Sequence, residues 1–247
     1  MSLEQAREID RKLIEAWVGH PQFTIVKNTK KGFKMKIDYA LKKVLSFIGQ
    51  PFPTSLTRKY LLISDKLNPE FDVPTGLKVE TFNLEETFLT TAIGQANVLR
   101  KVGKNDAYTY SQEMRFEIKG EKIQKKRAIG ARDYIELIEN PDPNHHTIKK
   151  LRQCFIFERQ YFMVETFQNV EHNPSILRIE TTSETQKHKL PPFIKILREV
   201  TNEIEYETHS MSKTGYQMPE ADVEIIKTKV EEERVERAAS GGPLTPK

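Results

Sequence analysis

The sequence has one cysteine among its 247 residues, Cys154, which excludes a disulfide within the chain and any zinc site built on cysteine. Such usage fits a reducing compartment. Long apolar runs are also missing: none approaches the ~18 residues of a membrane-spanning helix. The N-terminal MSLEQAREIDRK is charged at once and lacks the apolar core of a secretory signal. Net charge is small: 39 Lys and Arg exceed 35 Asp and Glu by four, with acids interspersed nearly everywhere, which argues against nucleic acid as a partner. There is no G-x-x-x-x-G-K-[ST] sequence, since Gly103-Lys104-Asn105 has neither the spacing nor the hydroxyl residue. No Ser-His-Asp or Cys-His arrangement is readable, and His145-His146 reads as part of a proline-bounded turn rather than a metal clip. No repeat is present, and the tail SGGPLTPK is expected to be disordered. A cytoplasmic protein is expected.

What is present suffices for a packed core. Hydrophobic residues make up only 37%, but 13 Phe and 8 Tyr supply bulk, and a chain of this length buries roughly 70–75% of its unfolded surface without staples. Residues 1–19 place Leu3, Ile9, Leu13, Ile14 and Trp17 at helical spacing, and Phe33, Ile37, Ala40, Leu41, Val44 and Ile48 repeat the pattern before Gly49. Phe23, Ile25 and Val26 between them suggest a short strand. From about Leu56 the period becomes two, and strands are expected at 56–63, 77–82, 97–102, 107–119, 122–129, 153–167 and 175–182. Helices are expected at 130–139, 193–206 and 219–237. The fold class is therefore α+β, an antiparallel sheet of about seven or eight strands with accessory helices, and that strand number favours a barrel.

The polar faces of these strands carry mixed charge: Arg115, Glu117 and Lys119; Arg178, Glu180 and Thr182; Glu165 beside Thr166. Turned inward, they would line a tunnel suited to a highly charged anion, with guanidinium and ammonium groups on its phosphates and carboxylates on a divalent ion. Turned outward, they are an ordinary solvated face. Spacing leaves both open.

Further residues carry a family likeness. The stretch Ala16-Trp-Val-Gly-His-Pro-Gln-Phe-Thr-Ile-Val-Lys-Asn, with Phe33 and Ile48-Gly-Gln-Pro, resembles the end of a NadR-like AAA NTPase domain. Then follow Arg58-Lys-Tyr-Leu, Val79-Glu-Thr-Phe, Arg100-Lys-Val-Gly-Lys-Asn, Tyr108-Thr-Tyr, Lys126-Arg-Ala-Ile, Arg152-Gln-Cys-Phe-Ile-Phe, Gln160-Tyr-Phe, Ile179-Glu and Leu190-Pro-Pro-Phe. This series, over roughly residues 12–213, is similar to the CYTH-like (triphosphate tunnel) domain of the TRPL translocation defect protein family. The resemblance implies a CYTH-like antiparallel β-barrel preceded by a short αβα remnant. It divides the chain into a remnant of the NTPase domain at 1–50, the tunnel domain at 54–213, and a charged helix with a disordered tail at 214–247. Members of the family are described as binding GTP and anionic phospholipids in membrane-protein trafficking.

The chain departs from that pattern where the chemistry lies. The P-loop is absent, and the Glu-x-Glu-x-Lys strand that ligates metal in catalytic CYTH enzymes is replaced here by Ser55, Thr57 and Lys59. Neutral hydroxyls in place of carboxylates weaken a Mg²⁺ or Mn²⁺ site, and Val98 stands where the first arginine of an Arg-x-Arg pair is expected. The resemblance leaves Lys59, Arg100, Arg115, Lys126 and Arg152 as phosphate ligands, with Glu80, Glu165 and Glu180 as weak metal partners. It implies a non-catalytic binder of triphosphates or acidic phospholipid head groups, with peripheral membrane contact. The alternatives are a divalent-metal-dependent triphosphate hydrolase and a trafficking scaffold with a vestigial barrel. Lysines 27, 30, 31, 34, 36, 42 and 43 form a cluster that reads as a lipid contact or a solvated helix face, and the charged C-terminal helix as a frayed surface helix or a protein-partner contact.

Overall fold

The computed structural model describes residues 2–20, 23–26, 32–53, 56–64, 66, 69, 71–92, 95–181 and 188–239. Two helices, α1 (Leu3–Ala16) and α2 (Phe33–Phe47), precede strands β1 (Phe52–Pro53), β2 (Leu56–Leu62), β3 (Val79–Leu89), β4 (Ala96–Lys104), β5 (Ala107–Ile118) and β6 (Glu121–Ile129). After α3 (Ala131–Leu137) come β7 (Ile148–Phe157), β8 (Gln160–Phe167), β9 (Ser175–Thr181) and β10 (Ile196–Glu199), then α4 (Thr208–Met211) and α5 (Glu220–Ala239). The ten strands form one sheet in the order β1-β6-β5-β4-β3-β7-β8-β9-β2-β10, antiparallel throughout. The α+β class expected from the sequence is thus observed.

Three two-residue turns set much of the register. Asn105-Asp106, Lys119-Gly120 and Glu158-Arg159 all have positive φ at both positions, the reversal that matches strand twist. The third turn corrects the single strand expected at 153–167, which is the β7–β8 hairpin. Glu158 and Arg159 are poor left-handed residues, so the break carries no turn signature in sequence. The helix expected at 193–206 is also corrected: Ile196, Arg198 and Glu199 pair with β2 as an edge strand, and only Ile204–Tyr206 make a single 3₁₀ turn. Residues 23–26 are irregular rather than a strand. Thr182, Ser55, Lys27, Lys30, Lys31 and the tail 240–247 lie outside the described residues.

The sheet is rolled. Lys126 on β6 and Arg152 on β7 are four strand steps apart, about 19 Å in a flat sheet, yet Arg152 helps lower the Lys126 pKa. Arg115 on β5 likewise acts on Glu207, which pairs with β2 beyond β9. The hydrogen-bonded ladder nevertheless stops at β1 and β10, so the wall is not a closed barrel among the described residues. α2 lies over this seam, touching β6 and β1 and reaching Glu180 on β9.

The convex face carries most of the apolar mass. Tyr60, Leu62, Phe155, Phe162, Val164, Leu177, Ile179 and Ile194 form one cluster, and α3 covers Leu99 with Tyr134. The main apolar cluster of the concave face lies at one end, where Leu61, Ile148, Phe167 and Ile176 meet Tyr206, Met211, Met218, Val223 and Ile226. The first half of α5 therefore belongs to the core, which corrects the frayed surface helix expected for 219–237. Elsewhere on the concave face charged side chains predominate, with Leu84 and Val98 buried among them.

Candidate functional site

Antiparallel pairing places opposed residues on one side of the sheet. Glu86 opposes Arg100, Val98 opposes Glu113, Glu113 opposes Lys126, Arg152 opposes Glu165, and Lys59 opposes Arg178. The charges that alternate along each strand thus meet on the concave wall, where the carboxylates Glu86, Glu113 and Glu165 are buried and most of the cations partly so.

A network of ion pairs results. The Lys150 ammonium, fully buried, donates to Glu86 (2.6 Å), Glu165 (3.2 Å) and the Thr208 hydroxyl (2.8 Å). Arg100 is held between Glu86 and Glu113, and Arg115 donates to Glu113 at 2.6 Å. Arg152 and Arg178 both donate to Glu165, at 3.0 Å each. Lys59 reaches Glu207 at 2.6 Å. Burial alone would raise the carboxyl pKa values, but the cations outweigh it: Lys150 and Arg100 hold Glu86 far down, Arg100 and Arg115 bring Glu113 to about 2, and Lys150, Arg152 and Arg178 hold Glu165 well below the usual range.

Seven cations (Lys59, Arg100, Arg115, Lys126, Lys150, Arg152 and Arg178) share four carboxylates (Glu86, Glu113, Glu165 and Glu207) on this wall. Lys126 has no carboxylate within salt-bridge distance among the described residues. Burial, then the nearby Arg100, Arg152 and Lys43 charges, pull its ammonium down to about 8 against the partial help of Glu113. Lys59 is lowered by burial and by Arg178. Among the described residues the Arg178 Nε is buried without an acceptor. A surplus of positive charge on a partly buried wall, with donors left over, is an arrangement that suits an anion.

All five residues expected to bind phosphate, Lys59, Arg100, Arg115, Lys126 and Arg152, therefore stand on one wall. The three expected metal carboxylates do not come together. Glu80 sits at the rim between Lys78 (2.9 Å) and Lys104 (2.8 Å), Glu165 is enclosed by three cations, and Glu180 accepts from Lys43 (2.5 Å) and Tyr39 (3.1 Å). Each is already neutralised by ammonium or guanidinium. Among the described residues no group of three or more His, Cys, Asp or Glu could hold a metal ion. As they stand, these carboxylates do not fit a divalent cation, which would have to displace their present partners.

Sequence reasoning omitted Lys150, Glu86, Glu113 and Glu207 from the site. Lys150 was legible in principle, because Lys150, Arg152 and Cys154 alternate if the strand starts at 148 instead of 153. Glu207 was not, since it follows an irregular segment that only the tertiary fold brings to Lys59.

No protein-family model matches the chain, and no curated protein is significantly similar to it. Among solved structures it is similar to NE1496, described once as an inorganic triphosphatase and once as a hypothetical protein. The first comparison gives 18% identity over 66% of this chain and 97% of that one, and the second 19% over 67% and 100%, both with a TM-score of 0.45. A conserved hypothetical protein from Pyrococcus furiosus is similar at 16% identity over 53% of this chain and 81% of that one, with a TM-score of 0.35.

Proposed function

We propose that the chain is a CYTH-like tunnel domain whose concave wall binds a polyphosphate anion, inorganic or nucleoside triphosphate, without efficient turnover. The observation that carries this reading is the excess of cations over carboxylates on a partly buried wall, with Lys126 unpaired and the Arg178 Nε unpartnered among the described residues. Lys126, Arg115, Arg100, Arg152 and Lys59 clamp phosphate oxygens, while Glu86, Glu113 and Glu165 keep the arginines and lysines extended and ordered. Weak catalysis follows from the occupied carboxylates: Glu80, Glu165 and Glu180 neutralise side chains and are not free to ligate Mg²⁺ or Mn²⁺. A divalent ion enters this reading as the counter-ion of the anion.

Thermal unfolding with rising tripolyphosphate at ~150 mM salt tests it. Ligand at about 100 times Kd adds roughly 2.7 kcal/mol, several degrees in Tm. A saturable shift lost in Arg115→Ala supports the site, and no shift rejects it. Phosphate release that requires Mg²⁺ or Mn²⁺ would establish the hydrolase instead.

A second reading, an acidic phospholipid head group in the service of membrane-protein trafficking, is favoured by one observation. The outward side of α2 is a stripe of Phe33, Ile37, Leu41, Val44 and Ile48 flanked by Lys34 and Lys42, the pattern of an interfacial helix. No helix among the described residues is long and apolar enough to cross a membrane. Flotation with anionic vesicles, lost in Leu41→Glu, would support it.

A further inference from the structure

α2 is turned the opposite way from an ordinary surface helix. Phe33 and Ile48, at 74% and 63% exposed, end the outward apolar stripe, whereas Tyr39 and Lys43 face the sheet. None of its residues is buried, so little apolar packing fixes it in place. The helix crosses the seam left by the unpaired ends of the ladder. At one side Gly49, just past its end, lies beside the Lys126 carbonyl and the Arg127 side chain; at the other, Tyr39 Oη donates to Glu180 at 3.1 Å and Lys43 Nζ at 2.5 Å.

The Lys43 ammonium is mostly enclosed, at 14% exposed, and its charge reaches the wall, where it joins Arg100 and Arg152 in disfavouring the charged form of Lys126. Its counter-ion differs from the others. Glu86, Glu113 and Glu165 are gripped by cations of the sheet itself, but Glu180 is held by two groups from α2 and is 37% exposed. A single half-exposed carboxylate is a weak competitor for an ammonium that already adds to the positive charge around Lys126, because a phosphate chain brings several negative charges to the same place.

We infer that Lys43 is a further anion ligand of the concave site, resting on Glu180 when no ligand is bound and taken over by a phosphate chain long enough to extend from Lys126 to the seam. This rests on the proposed anion-binding reading. It makes α2 the element that distinguishes a polyphosphate from a single phosphate: the sheet cations serve either, while Lys43 serves only the longer anion.

The alternative is that Lys43–Glu180 merely ties the helix to β9, and the two readings differ in sign. Calorimetric titration of the full chain with tripolyphosphate and with orthophosphate, using wild type, Lys43→Met, Glu180→Gln and Lys43→Arg, separates them. We expect Lys43→Met to weaken tripolyphosphate about tenfold, the scale of one charge-assisted contact, and to leave orthophosphate within about twofold. Glu180→Gln should tighten tripolyphosphate by freeing Lys43, Lys43→Arg should retain wild-type affinity within a few-fold, and unchanged orthophosphate binding in each variant shows that it folds. If Lys43→Met and Glu180→Gln both weaken tripolyphosphate, or neither changes it, Lys43 is only a tie and the inference fails. If wild type binds neither anion, the anion-binding reading itself fails, before any variant is compared.

Discussion

Lys126 shows what a single residue contributes to such a site. Held at about 8 instead of the ordinary 10.5, its charge costs the fold about 3 kcal/mol at neutral pH at most. The folded pKa lies below the unfolded one, so this contribution alone makes stability rise with pH between about 8 and 10.5, where the unfolded chain binds the extra proton. Lys126→Met should therefore raise stability at pH 7 by about 1–3 kcal/mol while weakening tripolyphosphate binding, seen as a higher Tm with a smaller ligand shift. In wild type, tripolyphosphate affinity should fall as pH rises through about 8, when Lys126 loses its proton. Lys150 is the opposite case. Lys150→Met leaves Glu86 and Glu165 short of a buried partner and should destabilise by about 3–5 kcal/mol in urea titration, with part of the loss restored by adding Glu86→Gln. Glu158 and Arg159 give a third test. Both sit at positive φ in the β7–β8 turn, so Asn and Gly in their places should stabilise by about 1–2 kcal/mol. Their exposed partners, Lys189 and Asp10, offset little of that.

At the scale of elements, α4 brings a pH response of its own. It sets the His209 ring 4.2 Å from His145, with Phe88 against both, and His145 Nδ1 lies 2.7 Å from the Ser212 hydroxyl. Burial lowers both histidine pKa values; Lys213 opposes protonation of both and Asp142 favours it, while His145 disfavours charge on His209, and His146 disfavours it on His145 against a favourable hydrogen bond to the His209 backbone. Arg115 adds its charge against His209. Because both folded values lie below the ordinary 6.5, the neutral pair contributes stability above that pH and loses it as pH falls below it. Tm should drop between pH 7 and 5.5, and His209→Gln should flatten that drop. The buried carboxylates cannot produce it, since their lowered values place their loss below pH 4.5. α2 shows the limit of reading elements from periodicity. The spacing of Phe33, Ile37, Leu41 and Val44 correctly marks a helix, but the ordinary rule turns that stripe toward the core, and here it faces out.

For the whole molecule, the arrangement is a rolled sheet with its apolar bulk outside the curve, an apolar plug of α4 and α5 at one end, and charge along the remainder of the concave wall. Charge so placed is costly to bury without partners, and the four carboxylates answer for only part of the seven cations. Raising salt should therefore stabilise the unliganded protein through screening and anion occupancy, while weakening tripolyphosphate binding by competition; Tm and calorimetry against NaCl and against phosphate would separate the two effects.

The local sequence by itself determined much of this. Alternation at 108–118 put Glu113, Arg115 and Glu117 on one side of β5, Lys119-Gly120 ended the strand, and the three- and four-residue spacing of 33–48 made a helix, because these patterns follow from backbone geometry alone. The Glu158–Arg159 reversal, flanked by β7 pairing with β3 and β8 pairing with β9, and the strand at 196–199, paired with β2, were decided by neighbours that lie elsewhere in the chain, against local preference. Which side of the sheet faces inward was likewise left to tertiary structure. A strand with one apolar and one charged face reads the same whether the charge meets water or the opposite wall, and only the rolling of the sheet, which brings Lys126 near Arg152 and Lys59 near Glu207, turns an ordinary amphipathic pattern into a site that attracts an anion.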